Sequence, residues 1–563
     1  MSWIDWEELT LVQKVAQMVV VRASGHLFDH QIEYPAWEPT QAVLRHYIED
    51  LGVGGVILLG GTAVEVGLRS QQLQHWSTIP LLMAADIEEG VGQRFAGATR
   101  FPPPMALGAM AQQDLPGAIA QSHQMGSTTA EEAIAIGLNW ILAPIVDVNN
   151  NPDNPVINIR AWGETSEQVS QLTHAFIQGA QQHPVLTTAK HFPGHGDTAI
   201  DSHLTLPVIP HDATRLEAVE LPPFLGAIAT GVDAVMTAHL QIPAWDADYP
   251  ATLSRSILTG QLRQQMGFNG LIVTDALIMG AITQHYGAEE AAVLAVAAGA
   301  DIVLMPADPE ASIAALVEAI ETGRIPLEQI HASLERIWQA KHRVCSLPIS
   351  GDTSHAWEHA QPDPVQLEAL ARPEAIASVT TILQASMQVH RPPISRLEQP
   401  SNAHPLRNLV ILDDALNCPF LARQAPAIAL PQYLGYHLRV LDSYSPKMRL
   451  DPDRILFDRE LHPETPDWQP TLLQLFIRSN PFRVSSGLTD LALDWLKFLL
   501  QTEQLQAVVF YGTPYVLDRF LPLLPAHIPY VFTYGQMEAA QAIALNTLWG
   551  KDLQPTSDST FTD

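Results

Sequence analysis

Eight short apolar runs, each followed by a longer helical pattern, occupy the first 345 residues and limit the fold more than any other property of the chain. The runs are Met18–Arg22, Gly54–Gly60, Leu81–Asp86, Trp140–Asp147, Val185–Lys190, Ala234–His239, Leu271–Asp275 and Asp301–Met305. Between them, Ser166 to Gln182 follows Thr165 as a helix cap, Arg215 to Gly231 is amphipathic, and Glu289 to Ala298 is alanine-rich. Repeated strand and helix imply a parallel sheet. Eight such units predict an α/β protein with a (β/α)8 TIM-like barrel, a doubly wound sheet being the alternative.

After this region the composition changes. Residues 346–408 are rich in proline, serine, histidine and glutamine and read as a linker, with helical pieces near Val365–Ala371 and Glu374–Met387. Beyond it Leu409–Asp414, Leu438–Asp442, Leu472–Ile477 and Ala507–Tyr511 read as strands among helices. The expected division is a catalytic barrel domain over 1–345, the linker over 346–408, a smaller α/β C-terminal domain over 409–555 and a polar, disordered tail over 556–563.

Charge narrows the partners. Sixty acidic residues against 30 basic ones give a formal charge of −30, which repels polyphosphate and anionic lipid, so neither nucleic acid nor membrane is an expected partner. The start, Met1 to Glu8, is acidic and lacks the basic region and apolar run of an export signal, so a soluble cytoplasmic protein is expected. Two cysteines, Cys345 and Cys418, make neither a disulfide framework nor a metal site by themselves.

In a (β/α)8 barrel the reacting groups come from the carboxyl ends of the strands. Asp86, Asp147, Lys190 with His191, His239 and Asp275 stand at such ends. The densest stretch runs from Lys190 to His203, where six ionisable side chains share a turn punctuated by Pro193, Gly194 and Gly196. Asp275 follows an apolar run and is ionised at neutral pH unless desolvated, which suits a nucleophile; capping the next helix is its other reading. Asp201 stands two residues before His203, where it can orient the ring and favour its protonated form, giving a general acid. An acid and a carboxylate nucleophile are the two parts of retaining glycoside cleavage.

Residues 190–203 resemble the Lys-His-(Phe/Ile)-Pro-Gly-x-Gly-x4-Asp-(Ser/Thr)-His signature of the β-N-acetylglucosaminidase branch of glycoside hydrolase family 3. The resemblance extends through Lys14–Met18, Asp86-x-Glu88, Ala143–Val148, Asn158–Arg160, Met236–His239, Gly267–Gly270 and Val273–Asp275. It implies that Asp275 is the nucleophile, that Asp201 and His203 are an acid/base dyad on a mobile loop, and that Asp86, Arg94, Arg160, Lys190 and His191 hold the terminal N-acetylglucosamine. Without it, Arg94 and Arg160 read equally as surface ion pairs. Two departures stand out: Glu89 and Val91 replace the family's usual residues between Glu88 and Arg94, and Ala276 stands where a second Asp often follows the nucleophile.

The expected activity is a retaining exo-β-N-acetylglucosaminidase acting on a small oligosaccharide or muropeptide, with no metal or organic cofactor. Four alternatives accompany it. They are an N-acetylglucosaminide phosphorylase, another family 3 β-glycosidase, a non-catalytic sugar-binding module, and a barrel metallohydrolase using His191, His195, Asp197, His203 and His239.

Overall fold

In the computed structural model, which describes residues 4–198, 206–345, 365–392, 405–445, 469–478 and 486–550, every apolar run of the first region contains a strand. These are β1 (Val19–Ser24), β2 (Gly55–Leu59), β3 (Leu82–Ala85), β4 (Trp140–Ile141), β5 (Leu186–Phe192), β6 (Ala234–Thr237), β7 (Leu271–Val273) and β8 (Val303–Leu304). They pair in the order β7-β6-β5-β4-β3-β2-β1-β8, each pair parallel. A bridge between Val273 and Ile302 joins the ends, where Ile272 O accepts from Asp301 N at 2.8 Å and Ile302 N at 3.1 Å. The sheet therefore closes into a barrel, which removes the doubly wound alternative. Strands covered on both faces need apolar side chains throughout, and β1, β3, β5, β6 and β7 are buried at every position.

Local chemistry sets the boundaries. Thr62 and Glu65 form a reciprocal capping box at the start of helix Ala63–Trp76, with bonds of 2.9 and 3.2 Å. The amphipathic stretch Arg215–Gly231 is two helices, Ala213–Val219 and Leu221–Thr230. Pro222 and Pro223 lack the N–H that a continuous helix needs there but suit the first turn of a new one. Likewise the run Trp140–Asp147 ladders only over Trp140–Ile141, because Pro144 cannot donate to a neighbour. The chain still follows β5, with Val146 N donating to Lys190 O at 2.8 Å.

At the amino-terminal end of the barrel the helix Leu327–Val344 buries a cation. Lys341 is fully buried, donates to Gln17 Oε1 at 2.6 Å and lies 5.7 Å from the centre of the Trp338 ring. Burial pushes its pKa down to about 7, and pushes the Cys345 thiol up to about 11. Between pH 7 and the ordinary lysine value of 10.5 the unfolded chain binds more protons at this position than the folded one, so stability here rises with pH. Above the ordinary thiol value of 9.0 Cys345 opposes that rise, because the unfolded thiol ionises first. Urea titrations are therefore expected to give an unfolding free energy that increases from about pH 7 to 9, and Lys341→Met should flatten the increase. An unaltered slope in that variant would assign the pH dependence to other groups.

By its internal contacts the chain divides into residues 1–379 and 380–563. The second unit contains a six-stranded sheet in the order β11-β10-β12-β13-β14-β9, built from β9 (Gln388–His390), β10 (Leu406–Leu412), β11 (Tyr436–Leu441), β12 (Thr471–Ile477), β13 (Leu505–Gly512) and β14 (Tyr530–Thr533). Only β9 runs antiparallel. The four strands expected from the sequence are β10 to β13; β9 and β14 are additional. β9 is three residues long and exposed or half-buried, so no apolar run announces it. Of the linker's expected helices, Pro373–Ser386 forms and Val365–Ala371 contains only a single turn, Leu367–Ala369. Residues 346–364 and 393–404 of that linker, and the tail 556–563, lie outside the described residues. Among the described residues no helix is long and apolar enough to cross a membrane.

Candidate active site

The carboxyl end of β5 delivers Lys190 and His191 inside the barrel wall and then turns sharply. The turn depends on glycine. A Cβ on Gly196 would lie 1.7 Å from Val148 O, and Gly194, at a φ of +131°, would bring one within 2.9 Å of the Glu220 side chain. Both positions exclude other residues, which explains the spacing of the motif.

Lys190 is the centre of a buried ionic chain. Its Nζ contacts Asp86 Oδ1 and Glu88 Oε1, both at 2.7 Å. Glu88 in turn receives Arg160 through two bonds, Nε to Oε2 at 2.9 Å and Nη2 to Oε1 at 2.8 Å. Asp86 and Glu88 come from the end of β3, while Arg160 comes from the turn Asn158–Arg160 after β4. Burial by itself would neutralise Glu88, but Arg160 and Lys190 hold it well below the usual carboxylate range. Burial likewise opposes the charge on Lys190, and Asp86 and Glu88 outweigh it, raising its pKa. Glu88, Lys190 and Arg160 stay ionised, so the chain is a rigid array of donors and acceptors. Asp86, with 27% of its side chain exposed, forms the open end.

A second hub lies beside it. Asp147 is fully buried and accepts from His191 Nδ1 at 2.8 Å, His191 N at 3.2 Å and His195 N at 2.7 Å. With Nδ1 directed to the carboxylate, Nε2 is the atom His191 offers to a ligand. His195 is buried, and its Nδ1 lies 2.9 Å from Thr198 Oγ1. Burial lowers its pKa to about 4, with Asp147 and Asp275 opposing and His191 adding to the fall, so the ring is neutral at neutral pH. β5, β6 and β7 are parallel neighbours in the closed barrel, so the ends of β5 and β7 lie on one rim.

Asp275 is half-buried just past β7, where its backbone N donates to Thr237 Oγ1 at 3.3 Å and its Oδ1 accepts from Ala276 N at 2.8 Å. Those contacts fix the carboxylate. His239, at the end of β6, is buried between Thr252 Oγ1 at 2.8 Å and the carbonyl of Ala276 at 3.1 Å, supporting the segment that carries Asp275. Arg94 is exposed at the mouth and donates from Nε to the Asp86 carbonyl at 3.1 Å. Asp201 and His203 lie outside the described residues.

The predicted residues Asp86, Arg160 and Lys190 are therefore joined directly or through Glu88, His191 is held beside them by Asp147, and Asp275 shares their rim. From sequence, Glu88 has no assigned role, Asp147 stands only among the polar strand ends, and His195 appears only as a ligand in the metallohydrolase alternative. Glu89 and Val91, the departures near β3, are buried, and Glu89 pairs with Arg100 at 3.1 Å. They reshape the support of the rim and leave Arg94 as its exposed cation. Among the described residues no group of His, Cys, Asp and Glu converges as metal ligands. His191 and His195 serve Asp147 and Thr198, and Asp197 pairs with His211 at 2.8 Å.

Carboxylates Asp86, Glu88, Asp147 and Asp275 face cations Lys190, Arg160 and Arg94 on this rim. The set can bind a polyhydroxylated ring through donors and acceptors, and its excess negative charge favours a reacting centre that becomes positive.

Comparison with known proteins agrees. Residues 10–340 match the Glycosyl hydrolase family 3 N terminal domain, and residues 399–550 the Bacterial Glycosyl hydrolase family 3 C-terminal domain. Beta-hexosaminidase A of Pseudoalteromonas piscicida is 35% identical over 347 residues, 55% of this chain and 57% of that protein. Beta-N-acetylglucosaminidase/beta-glucosidase of Cellulomonas fimi is 30% identical over 354 residues, 60% of this chain and 61% of that protein. The chain thus spans less than two thirds of the length of these two relatives. A solved glycoside hydrolase family 3 beta-N-acetylglucosaminidase from Paenibacillus sp. str. FPU-7 aligns with a TM-score of 0.74 and 30% identity, covering 97% of this chain and 98% of that one.

Proposed function

Because the chain belongs to glycosyl hydrolase family 3, we propose that it is a retaining exo-β-N-acetylglucosaminidase that releases terminal β-linked N-acetylglucosamine from chitooligosaccharides or cell-wall muropeptides. The observation that carries this reading is the fixed carboxylate of Asp275 on the same rim as the Asp86–Lys190–Glu88–Arg160 chain and His191. Relatives named for hexosaminidase activity support it.

In this mechanism Asp86, Lys190, His191 and Arg94 hold the hydroxyls of the terminal sugar, and Arg160 acts with Lys190 through Glu88. Asp275 attacks the anomeric carbon as His203, oriented by Asp201, gives its proton to the departing glycosidic oxygen. A covalent glycosyl-Asp275 forms. His203 then takes a proton from water, which attacks the same carbon and frees Asp275, so the β configuration is retained. A cytoplasmic location belongs to the same proposal; Cys345 and Cys418, neither of them in a disulfide, fit a reducing compartment.

Proton NMR of the product from an aryl β-N-acetylglucosaminide, run with and without phosphate, tests the reading. The expected first product is β-N-acetylglucosamine in both buffers. Glycosyl phosphate would instead identify a phosphorylase, and cleavage of a parallel aryl β-glucoside with no turnover of the N-acetylglucosaminide a β-glucosidase. Muropeptide and chitobiose run in parallel decide between the two substrate classes.

A further inference from the structure

The segment between β1 and helix Gln41–Glu49 covers residues 25–40, longer than the roughly 2–6 residues that usually join strand to helix. It lies at the carboxyl end of β1 and exposes three aromatic rings, Phe28 at 60%, Tyr34 at 52% and Trp37 at 41%. Tyr34 and Trp37 are nearly parallel, 19° apart with centroids separated by 6.1 Å. Both rest on one guanidinium: the Arg22 carbon lies 5.3 Å from the Tyr34 centroid and 5.2 Å from that of Trp37. Arg22 is itself pinned by the buried Glu38 at 2.8 Å. A buried ion pair that holds exposed rings parallel fixes them before any ligand arrives, which lowers the entropy cost of binding. Phe28 and His30 form a second parallel pair, 19° apart at 5.8 Å.

Strand order places this segment near the reacting centre. β1 pairs with β8, and Ile302, just before β8, is bridged to Val273 at the end of β7, two residues before Asp275. Two strand spacings amount to roughly 10 Å around the wall, the span of a disaccharide. Asp29, His30 and Glu33 bring polar groups to the same segment, while Arg22, the cation beneath the rings, is already neutralised by Glu38. Parallel aromatic faces with a polar and acidic border suit a neutral pyranose, whose C–H face stacks and whose hydroxyls point outward. They do not suit an anionic peptide-bearing sugar.

We propose that Tyr34 and Trp37, braced by Arg22 and Glu38, form a stacking subsite for the leaving-group sugars of neutral β-linked N-acetylhexosamine oligosaccharides. The subsite rests on the activity proposed above and determines chain-length preference. Longer substrates gain binding there; an aryl monosaccharide does not reach it.

The test compares kcat/KM for chitobiose, chitotriose and chitotetraose with that for an aryl β-N-acetylglucosaminide. In the unmodified protein the ratio of tetrasaccharide to aryl substrate is expected to exceed one, and Trp37→Ala should lower it roughly tenfold. Trp37→Phe, which retains a ring face, should recover most of it. If Trp37→Ala disturbs the fold, Tyr34→Ala decides, since its ring is the more exposed. Ratios within about twofold of the original in both alanine variants, or no dependence on chain length in the unmodified protein, would overturn the subsite. Calorimetric binding of chitotetraose, with Asp275→Ala added to each protein to prevent turnover, reads the platform by itself, so binding through Trp37 in that background without cleavage by the unmodified protein would overturn the activity alone.

Discussion

Asp275→Ala is expected to lower kcat on an aryl β-N-acetylglucosaminide by at least about 10⁴-fold, equivalent to roughly 5 kcal/mol of lost transition-state stabilisation. The size follows from the proposed role. Without a carboxylate at the end of β7 no covalent intermediate forms, and positioning by the Lys190 array alone supplies only the residual rate. Stability should change little, because Asp275 is only half-buried at the rim. Azide or formate offers a sharper check: a small anion entering the vacated space would attack from the same face and, for azide, leave a product of inverted configuration. Turnover of Asp275→Ala within tenfold of the original would remove Asp275 as nucleophile.

Lys190→Met is expected to damage both activity and fold. The substitution leaves Asp86 and Glu88 without the ammonium that contacts each at 2.7 Å, and Glu88 is almost fully buried. Removing one partner from a buried ion network costs about 3–5 kcal/mol, so thermal melting should fall by several degrees. The loss of kcat/KM should reach about 10²–10³-fold, because Lys190 both donates to the ligand and holds Asp86 in place. A structural role alone would lower stability and leave the kinetics of the surviving folded protein unchanged. Measuring kcat/KM below the melting range separates the two, and unchanged kinetics there would refute a sugar-binding role for Lys190.

The parts of the site that could be read from sequence are those whose position along a strand announces them. Lys190, His191 and Asp275 end apolar runs, and in a closed parallel barrel such ends share one rim. Glu88 and His195 were not legible in that way, and Asp147, which ends the fourth run, showed its position but not its partners. Glu88 has meaning only once Arg160, 72 residues later, lies against it. Asp147 gains its role from His191 and His195, 44 and 48 residues away. Periodicity carries no information about such pairings. The same holds for Glu89: as a departure from a family pattern it suggested an altered rim, yet it lies inside and pairs with Arg100.

Backbone details divide similarly. Pro144 ended the ladder of β4, and Pro222 with Pro223 divided one amphipathic stretch into two helices; both are consequences of a missing N–H that the residues themselves declare. The three-residue β9 has no such signal, since it exists only because β14 offers an edge.

By itself the chain's order of residues determined the alternation of strand and helix, and hence a parallel sheet of eight strands, because burying a strand on both faces demands an apolar run that can be seen; its closure into a barrel was decided by the pairing of β7 with the chain entering β8. It also determined the turn after β5, where Gly194 and Gly196 admit no side chain. Tertiary structure alone decided which charges neutralise one another, joining Asp86, Lys190, Glu88 and Arg160 into one chain and resting Tyr34 and Trp37 on Arg22. Coulomb and stacking energies depend on distance in space, and closing the barrel brings together groups that the backbone keeps far apart.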